Sequence, residues 1–342
     1  MTDKHKWRNK LEWRTRGPRI PLLFAFLILT LGSTNLAWGQ AQNDSLEYFL
    51  KRGGNELRSE KYAEAIISYQ RALDIDSLNL NALRNLGFTL ALGGGHKNAI
   101  ALWERADRQG IADADIYNNL GVSYGALENA EKSIENFRRA LALDQENLEY
   151  MRSFGVATLN AGRFEEAHIA LEAAVKLAPE DGQINYLLGN SHSGIGKAVK
   201  AQRDYRKAIE LGYDDAELRL NYGLILDEAG DLWGAEEQLG KAVGMEPDNL
   251  DYRQRLAVFY MKTLAYKQAV KLFRENLERD SAFVNSRIGL GAAYSHQGLM
   301  DSAYAQLAWV KNAFPNRAGE MMNLIKKAED VRQQSDSSRS GY

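Results

Sequence analysis

Apolar side chains recur along the chain with helical spacing, in segments separated by short polar turns. The phrases YAEAIISYQRAL, AEKSIENFRRAL and FEEAHIALEAAV begin at Tyr62, Ala130 and Phe164, so their starts differ by 68 and 34 residues. A 34-residue grid that starts at Leu46 gives eight consecutive blocks without insertion or deletion, and the last block ends at Arg317. Each block holds two helical periods, roughly at positions 1–14 and 18–31. The pattern therefore predicts eight helix pairs in tandem.

Small side chains fill three columns of this grid. Position 8 is Gly in every block except the seventh, which has Ala257. Position 20 is Ala in every block except the third, which has Ser133. Position 27 is Ala in the first six blocks, followed by Asn276 and Val310 in the last two. Small residues remove bulk where two helices cross, so the two backbones can approach closely. Larger apolar residues at positions 7 and 24 flank them. Gly at position 15 in five blocks and Pro at position 32 in three blocks indicate where helices end.

This in-phase pattern of Gly, Ala, aromatic residues and Pro resembles the tetratricopeptide repeat (TPR) family, from Leu46 to Arg317. The resemblance implies an all-α fold in which antiparallel helix pairs stack into a right-handed superhelical solenoid with a concave groove. The first block is the poorest match, with Arg52 at an apolar position. The seventh lacks both its Gly (Ala257) and its last Ala (Asn276).

The segment after the last repeat is expected to close the stack. Met321, Leu324, Ile325 and Ala328 keep a helical spacing among charged residues, which predicts a capping helix over 318–333. The Ser-rich residues 334–342 are expected to form a disordered tail.

The first 39 residues have the three parts of a secretory signal peptide. A basic stretch runs from Lys4 to Arg19, an apolar segment from Ile20 to Leu31, and small residues follow, with cleavage predicted before Gln40. Residues 40–45 then form a short linker. An uncleaved N-terminal membrane anchor is the alternative, because 20–38 approaches the length that spans a bilayer. The expected location is the periplasm or the secreted space, with a single anchored segment as the alternative.

Charge and composition exclude several classes of function. The formal charge is −2 for the full chain, and removal of residues 1–39, with 7 basic and 2 acidic residues, leaves 36 basic against 43 acidic side chains, or −7. An acidic protein is a poor partner for nucleic acid, which needs a basic face. The chain has no cysteine, which excludes disulfides and thiol catalysis.

No pattern of catalytic or metal-ligating residues emerges from the repeats. The four histidines outside the leader fall at four different repeat positions, and no HExxH or zinc spacing occurs: His96, His168, His192 and His296. The sequence therefore predicts a protein without catalysis, metal or other cofactor.

The candidate binding residues follow from the family resemblance. In TPR proteins, positions 2, 5, 6, 9, 12 and 13 of each first helix line the concave face. An Asn amide there suits the alternating N–H and C=O groups of an extended peptide, and a guanidinium group can bind a carboxylate. The predicted groove residues are Arg84, Asn85, Asn118, Asn119, Arg152, Asn221 and Arg255.

These observations predict a non-catalytic scaffold or adaptor of a bacterial-type cell envelope or secreted space that binds a protein or extended peptide in the groove. Alternatives are a scaffold that associates with its own copies, and a membrane-anchored assembly factor if the leader is retained. Trp233 and Trp309 occupy columns that are mostly charged in the other blocks. Packing against neighbouring side chains is favoured over partner contact for both.

Overall fold

The computed structural model describes the backbone of residues 22–340, and the side chains of 40–331 and of Gln334. Residues 1–21, with the basic part of the predicted signal peptide, and residues 341–342 lie outside the described residues. Within 22–340 the chain is helical apart from short turns, and no strand occurs. The predicted all-α fold is confirmed.

The chain divides into two compact units between Ala112 and Asp113. In its described part, unit 1 contains α1 (Leu22–Arg58), α2 (Tyr62–Ile75), α3 (Leu80–Leu92) and α4 (His96–Arg108). Unit 2 begins with α5 (Ala114–Ala126), α6 (Ala130–Leu143), α7 (Leu148–Asn160), α8 (Phe164–Leu177), α9 (Gly182–Gly194) and α10 (Ala198–Glu210). It continues with α11 (Ala216–Glu228), α12 (Leu232–Met245), α13 (Leu250–Lys262), α14 (Tyr266–Arg279), α15 (Val284–His296), α16 (Met300–Ala313), a 3₁₀ turn (Pro315–Arg317) and α17 (Ala318–Ser340).

The helices of the repeats lie where the apolar periods predict them, to within about two residues, except that α1 begins at Leu22, well before the first block. The small columns are buried as expected: Ala65, Ala99, Ala167 and Ala201 at position 20 are all 0% exposed. A Cβ on Gly121 would lie 2.7 Å from the ring of Phe137, so this Gly is required for the close approach of α5 and α6. Each unit is thus a TPR-like stack of helix pairs.

A column at position 34 begins most of the first helices. Its Asn and Asp side chains accept a hydrogen bond from a backbone N–H of the first turn in six successive repeats: Asn79, Asp113, Asn147, Asp181, Asp215 and Asn249. Such N-caps each stabilise a helix by about 1 kcal/mol. They fix where each first helix starts and so keep the repeats in phase.

The turn between the two helices of every repeat contains one left-handed residue at position 15. Five of the eight are Gly, with φ from 71° to 82°, and Glu60, Glu128 and Leu264 adopt the same conformation with φ of 58–61°. Only Gly adopts this region without steric cost.

Replacing Leu264 with Gly is expected to raise the free energy of unfolding by about 0.5–1 kcal/mol, because relief of the left-handed strain exceeds the entropy that Gly loses. The Leu264 side chain is 70% exposed, so its removal forfeits little burial. Urea unfolding of Leu264→Gly measures the gain. Leu264→Ala is the control; it keeps the Cβ, and an equal gain from it would assign the effect to loss of exposed apolar surface instead.

Ala257, the exception in the position 8 column, has a structural explanation. The ring of Phe273, at position 24 of the same repeat, packs against Gly289 of the next repeat. A Cβ on Gly289 would lie 2.4 Å from this ring. In the first six repeats, the side chain at position 24 instead lies against the Gly at position 8 of its own repeat. Because Phe273 lies against position 6 of the eighth repeat, space is left for the Ala257 methyl group.

The structure differs from the sequence prediction at both ends. Residues 40–45, expected to be a linker, continue α1, and the expected tail is helical as far as Ser340. No Pro or Gly interrupts either stretch, so nothing in the sequence ends the helix there. The expected cap is present: Met321, Ile325 and Ala328 of α17 are 0% exposed and pack on α15 and α16.

Among the residues described in full, no helix is both long enough and apolar enough to cross a membrane.

Candidate functional site

The first helices α5, α7, α9 and α11 of unit 2 form one continuous face. α5 contacts α7, α7 contacts α9, and α9 contacts α11, whereas successive second helices meet mainly through the first helix between them. The first helices are therefore closer together than the second helices. Their outward side chains share one surface, which we call the first-helix face.

A cleft of about 340 Å³ opens on this face between α5 and α7. Its floor consists of small or apolar groups, including Gly121, Phe137 and Ala157, and Arg152 and Gln183 lie at its edge. Nη1 of Arg152 donates a hydrogen bond of 3.2 Å to Oε1 of Gln183. We call this the first-helix cleft. It combines an apolar floor with a charged edge, the combination that orients a ligand side chain.

Arg84 and Asn85 lie on α3 of unit 1. Both are half-buried, and Arg84 Nη2 donates to Oδ1 of Asn81 at 3.0 Å. The backbone carbonyl of Asn85 accepts the hydroxyl of Thr89 at 2.7 Å. Both residues lie on the first helix of the second repeat, as their repeat positions 5 and 6 predict.

The three candidates in the third and fourth repeats differ in exposure. Asn118 is only 7% exposed, and its Oδ1 is buried with no hydrogen-bond partner among the described residues. Asn119 and Arg152 are half-buried. Only Arg152 belongs to the lining of the first-helix cleft.

Asn221 serves a structural network. Its Nδ2 donates to Oη of Tyr186 at 3.2 Å and to Oδ1 of Asn190 at 3.3 Å, and Tyr205 donates to the same Asn190 oxygen at 2.8 Å. The donors of Asn221 are thus engaged between the fifth and sixth repeats, which leaves its Oδ1 for a ligand. Arg255 is exposed on α13, at a distance in sequence from the cleft.

Sequence reasoning missed a column of arginines at position 4 of the last three repeats, of which Arg219 and Arg253 are buried and Arg287 is half-buried. Arg219 donates to Gln238 at 2.6 Å, Arg253 to Asn276 at 2.8 Å, and Arg287 to Gln306 at 2.9 Å. The first four repeats have Phe, Leu, Tyr and Met at this position, and that change of residue type was the available signal. These guanidinium groups join helices within the stack and do not face a ligand.

A buried histidine cluster between the fourth and fifth repeats was also missed. Nδ1 of His192 lies 2.5 Å from Oδ2 of Asp204, and the rings of His168 and His192 are 4.7 Å apart. Nδ1 of His168 and Nε2 of His192 are buried without a partner among the described residues. In that same part of the chain, no group of three or more potential ligands is placed to hold a metal ion.

This cluster predicts a pH dependence of stability. Burial, and then the neighbouring His192, hold the pKa of His168 below its usual value. An unfolded histidine binds a proton near pH 6.5. As the pH falls through this range, the unfolded chain binds a proton that the folded chain does not, so the free energy of unfolding should decrease.

The measurement is urea unfolding at a series of pH values for the wild type and His168→Ile, which restores the residue of the first three repeats at this position. The wild type should lose more stability than the variant between about pH 7.5 and pH 5.5. Identical slopes would show that His168 does not contribute.

The two conspicuous tryptophans have different environments. Trp309 packs on Phe314, with ring centroids 5.8 Å apart, and the guanidinium of Arg287 lies 3.9 Å from its ring centre. Packing is therefore confirmed for Trp309. It is wrong for Trp233, which is 77% exposed because its column at the start of the second helix points to solvent.

The fold and the repeated columns define an all-α protein built of stacked helix pairs. Sequence models of the tetratricopeptide repeat match residues 114–147, 152–194 and 186–249. The matched segments of the chain are tetratricopeptide repeats.

Individual relatives are distant. BBS4, a BBSome complex member of Bos taurus, is 22% identical over 170 residues, which cover 50% of this chain and 33% of that protein. The chain thus spans about a third of this relative. PilW, a type IV pilus biogenesis factor, superimposes with a TM-score of 0.54 at 17% identity, over 59% of this chain and 94% of PilW. The Cut9–Hcn1 structure gives 0.55 at 17% identity, over 78% of this chain and 52% of the other. These likenesses show the fold.

Proposed function

We propose that the chain is a non-catalytic scaffold that binds an extended segment of a partner protein on the first-helix face. The observation that carries this proposal is the first-helix cleft, which has room for an apolar side chain beside the guanidinium of Arg152. A bound segment would place an apolar side chain on Phe137 and Ala157. An adjacent carboxylate would pair with Arg152.

Polar side chains near the cleft suit a peptide backbone. Asn119 is half-buried on the same helix as the cleft wall, and an Asn amide offers both donors and acceptors to an extended chain. Arg84 and Asn85 in unit 1, and Asn118, Asn221 and Arg255 in unit 2, belong to the proposed contacts through their repeat positions. The membership of BBS4 in a protein complex is in keeping with a scaffold.

We place this activity in the cell envelope or the secreted space. The support is the basic, apolar and small-residue order of residues 1–39. N-terminal sequencing of the protein from its native source tests this: a mature chain that starts near Gln40 supports export, and an intact Met1 terminus would support the anchored alternative.

Selection from a displayed library of random peptides tests the binding proposal. The full chain should enrich peptides with a shared apolar residue next to Asp or Glu. Arg152→Ala and Ser153→Leu should each weaken their binding about tenfold or more, through loss of the charge and filling of the cleft. Leu occurs at the same position in Leu187, so Ser153→Leu should fold.

Val199→Ala is the matched control, because this residue is 81% exposed on the second helix of the fifth repeat. Peptides that bind wild type, both cleft variants and the control equally would remove the first-helix cleft as the binding site.

A further inference from the structure

Two apolar side chains of the first-helix face are open to solvent. Position 9 of the repeat holds Val122 on α5 and Val156 on α7; they are 49% and 37% exposed, and both line the first-helix cleft. We call them the valine pair. They follow Asn119 and Ser153 by three residues, so each valine has a polar neighbour on the same helix surface. The row ends at Asn190, position 9 of the fifth repeat, which is hydrogen-bonded within the stack.

The separation of the valine pair is set by the distance between neighbouring first helices. Both residues occupy the same repeat position, and Cα atoms of α5 and α7 approach within 8 Å of one another. The axes of packed helices are about 8–10 Å apart. A ligand that crosses both helices must therefore place two apolar side chains about 8–10 Å apart on one of its faces.

The backbone conformation of a ligand decides which of its residues meet this spacing. In polyproline II, three residues complete one turn and span about 9 Å, so side chains i and i+3 lie on the same face. In a β-strand, the residues that share a face with i are i+2 and i+4, at about 7 and 13 Å. In an α-helix, i and i+7 share a face and are about 10.5 Å apart. The spacing is thus met by polyproline II and by an α-helix.

The polar group beside Val122 favours polyproline II over an α-helix. Asn119 is half-buried on α5, and its side-chain amide forms no hydrogen bond among the residues described in full. Polyproline II has no internal hydrogen bonds, whereas the interior of an α-helix pairs its own backbone groups. The free amide of Asn119 therefore complements the backbone of an extended segment and not that of a helix.

Arg152 adds a positive charge that is not neutralised within the described part of the chain. Its guanidinium donates to the neutral side chain of Gln183, and no described carboxylate forms an ion pair with it. Val156 lies one helical turn further along α7, so Arg152 and Val156 are neighbours on the same surface. A carboxylate next to an apolar ligand residue at Val156 would thus reach Arg152.

We infer that the segment bound in the first-helix cleft is a polyproline II segment with two apolar residues three positions apart and an acidic residue next to one of them. The inference rests on the proposed function and specifies its ligand. One apolar side chain packs on Val122, the other packs between Val156 and the cleft floor, and the carboxylate pairs with Arg152. Asn190 offers no further apolar contact beyond Val156.

The test is a fluorescence anisotropy titration of four labelled twelve-residue peptides with the full chain. Each peptide contains two Leu, an Asp after the second Leu, and otherwise Gln and Ser; the two Leu are two, three, four or seven positions apart. The peptide with a spacing of three should bind about tenfold or more tightly than the others. Pro in place of a residue between its two Leu should preserve binding, because Pro fixes a φ that polyproline II shares.

The outcomes separate this inference from the proposed function. Equal binding of the four peptides, tightest binding at another spacing, or loss of binding on introduction of Pro would overturn the inference. If the four peptides fail while peptides selected from the library bind in the cleft, the inference alone is wrong. Failure of the selected peptides as well would remove the proposed function.

Val156→Asn tests the role of the valine pair. The fifth repeat has Asn190 at the same position, so the variant should fold, which circular dichroism checks. It should bind the peptide with a spacing of three about tenfold more weakly. Val258→Asn is the matched control, because Val258 has the same repeat position on α13, is 51% exposed and lies outside the cleft lining. Unchanged binding by Val156→Asn, or an equal loss from Val258→Asn, would overturn the inference.

Discussion

Replacing Arg253 with Ala is expected to lower the free energy of unfolding by about 1.5–3 kcal/mol, the range for loss of a hydrogen bond that involves a charged group. Arg253 is 2% exposed, and its guanidinium donates to Oδ1 of Asn276 at 2.8 Å and to the carbonyl of Pro247. Without the donor, Oδ1 of the buried Asn276 remains unpaired, which is more costly than loss of the bond alone. Urea unfolding, followed by circular dichroism, measures the loss.

A double variant isolates the pair from the rest of the packing. Arg253→Leu with Asn276→Ala restores the side chains that the second repeat has at these positions, Leu83 and Ala106. The double variant should lose less stability than the sum of the losses from Arg253→Leu alone and Asn276→Ala alone. The difference, which is the coupling free energy, should be about 0.5–3 kcal/mol. Additive losses would mean that the two side chains act independently and that the buried pair is not what holds this repeat.

Gly87→Ala is expected to lower the free energy of unfolding by about 1–3 kcal/mol, because it overpacks a filled joint. A Cβ at this position would lie 2.4 Å from the indole of Trp103, which is 1% exposed and donates from Nε1 to the carbonyl of Arg84 at 3.3 Å. Thermal and urea unfolding both report the change.

Gly240→Ala makes the same substitution where the helix surface is open. No atom lies within 4 Å of the Cβ it would add, and this position is inside α12. Ala is favoured over Gly in a helix interior by about 0.5–1 kcal/mol, so this variant should be stabilised. Equal effects at the two positions would show that helix propensity, and not the joint between α3 and α4, decides the result at Gly87.

The positions of the helices could be predicted from the sequence because the local signals repeat in phase. The Gly column at position 8 and the Ala column at position 20 mark where helices cross, and position 15 marks each turn, even where Glu128 or Leu264 replaces Gly. The exceptions needed the structure. The methyl group of Ala257 has space because the Phe273 ring lies against Gly289 instead. Asn276 replaces Ala at position 27 and accepts a hydrogen bond from Arg253. Both pairs are distant in sequence.

The candidate site was less predictable. Arg152, predicted from its repeat position, lines a cleft. Asn221 was predicted in the same way, but its amide group donates to Tyr186 and Asn190. Position in a repeat fixes the face on which a side chain lies and not which neighbours it bonds.

Photo-crosslinking in the native host tests whether the first-helix face binds a segment of a partner protein. A photoreactive amino acid replaces Val156, which lines the first-helix cleft, or Ile67, an exposed residue of α2, as the control. We expect a defined protein adduct at position 156 that is lost when Arg152→Ala is added to the still-folded chain, and no adduct at position 67. Absence of an adduct at position 156, or the same adduct from both positions, would show that this face does not bind the partner.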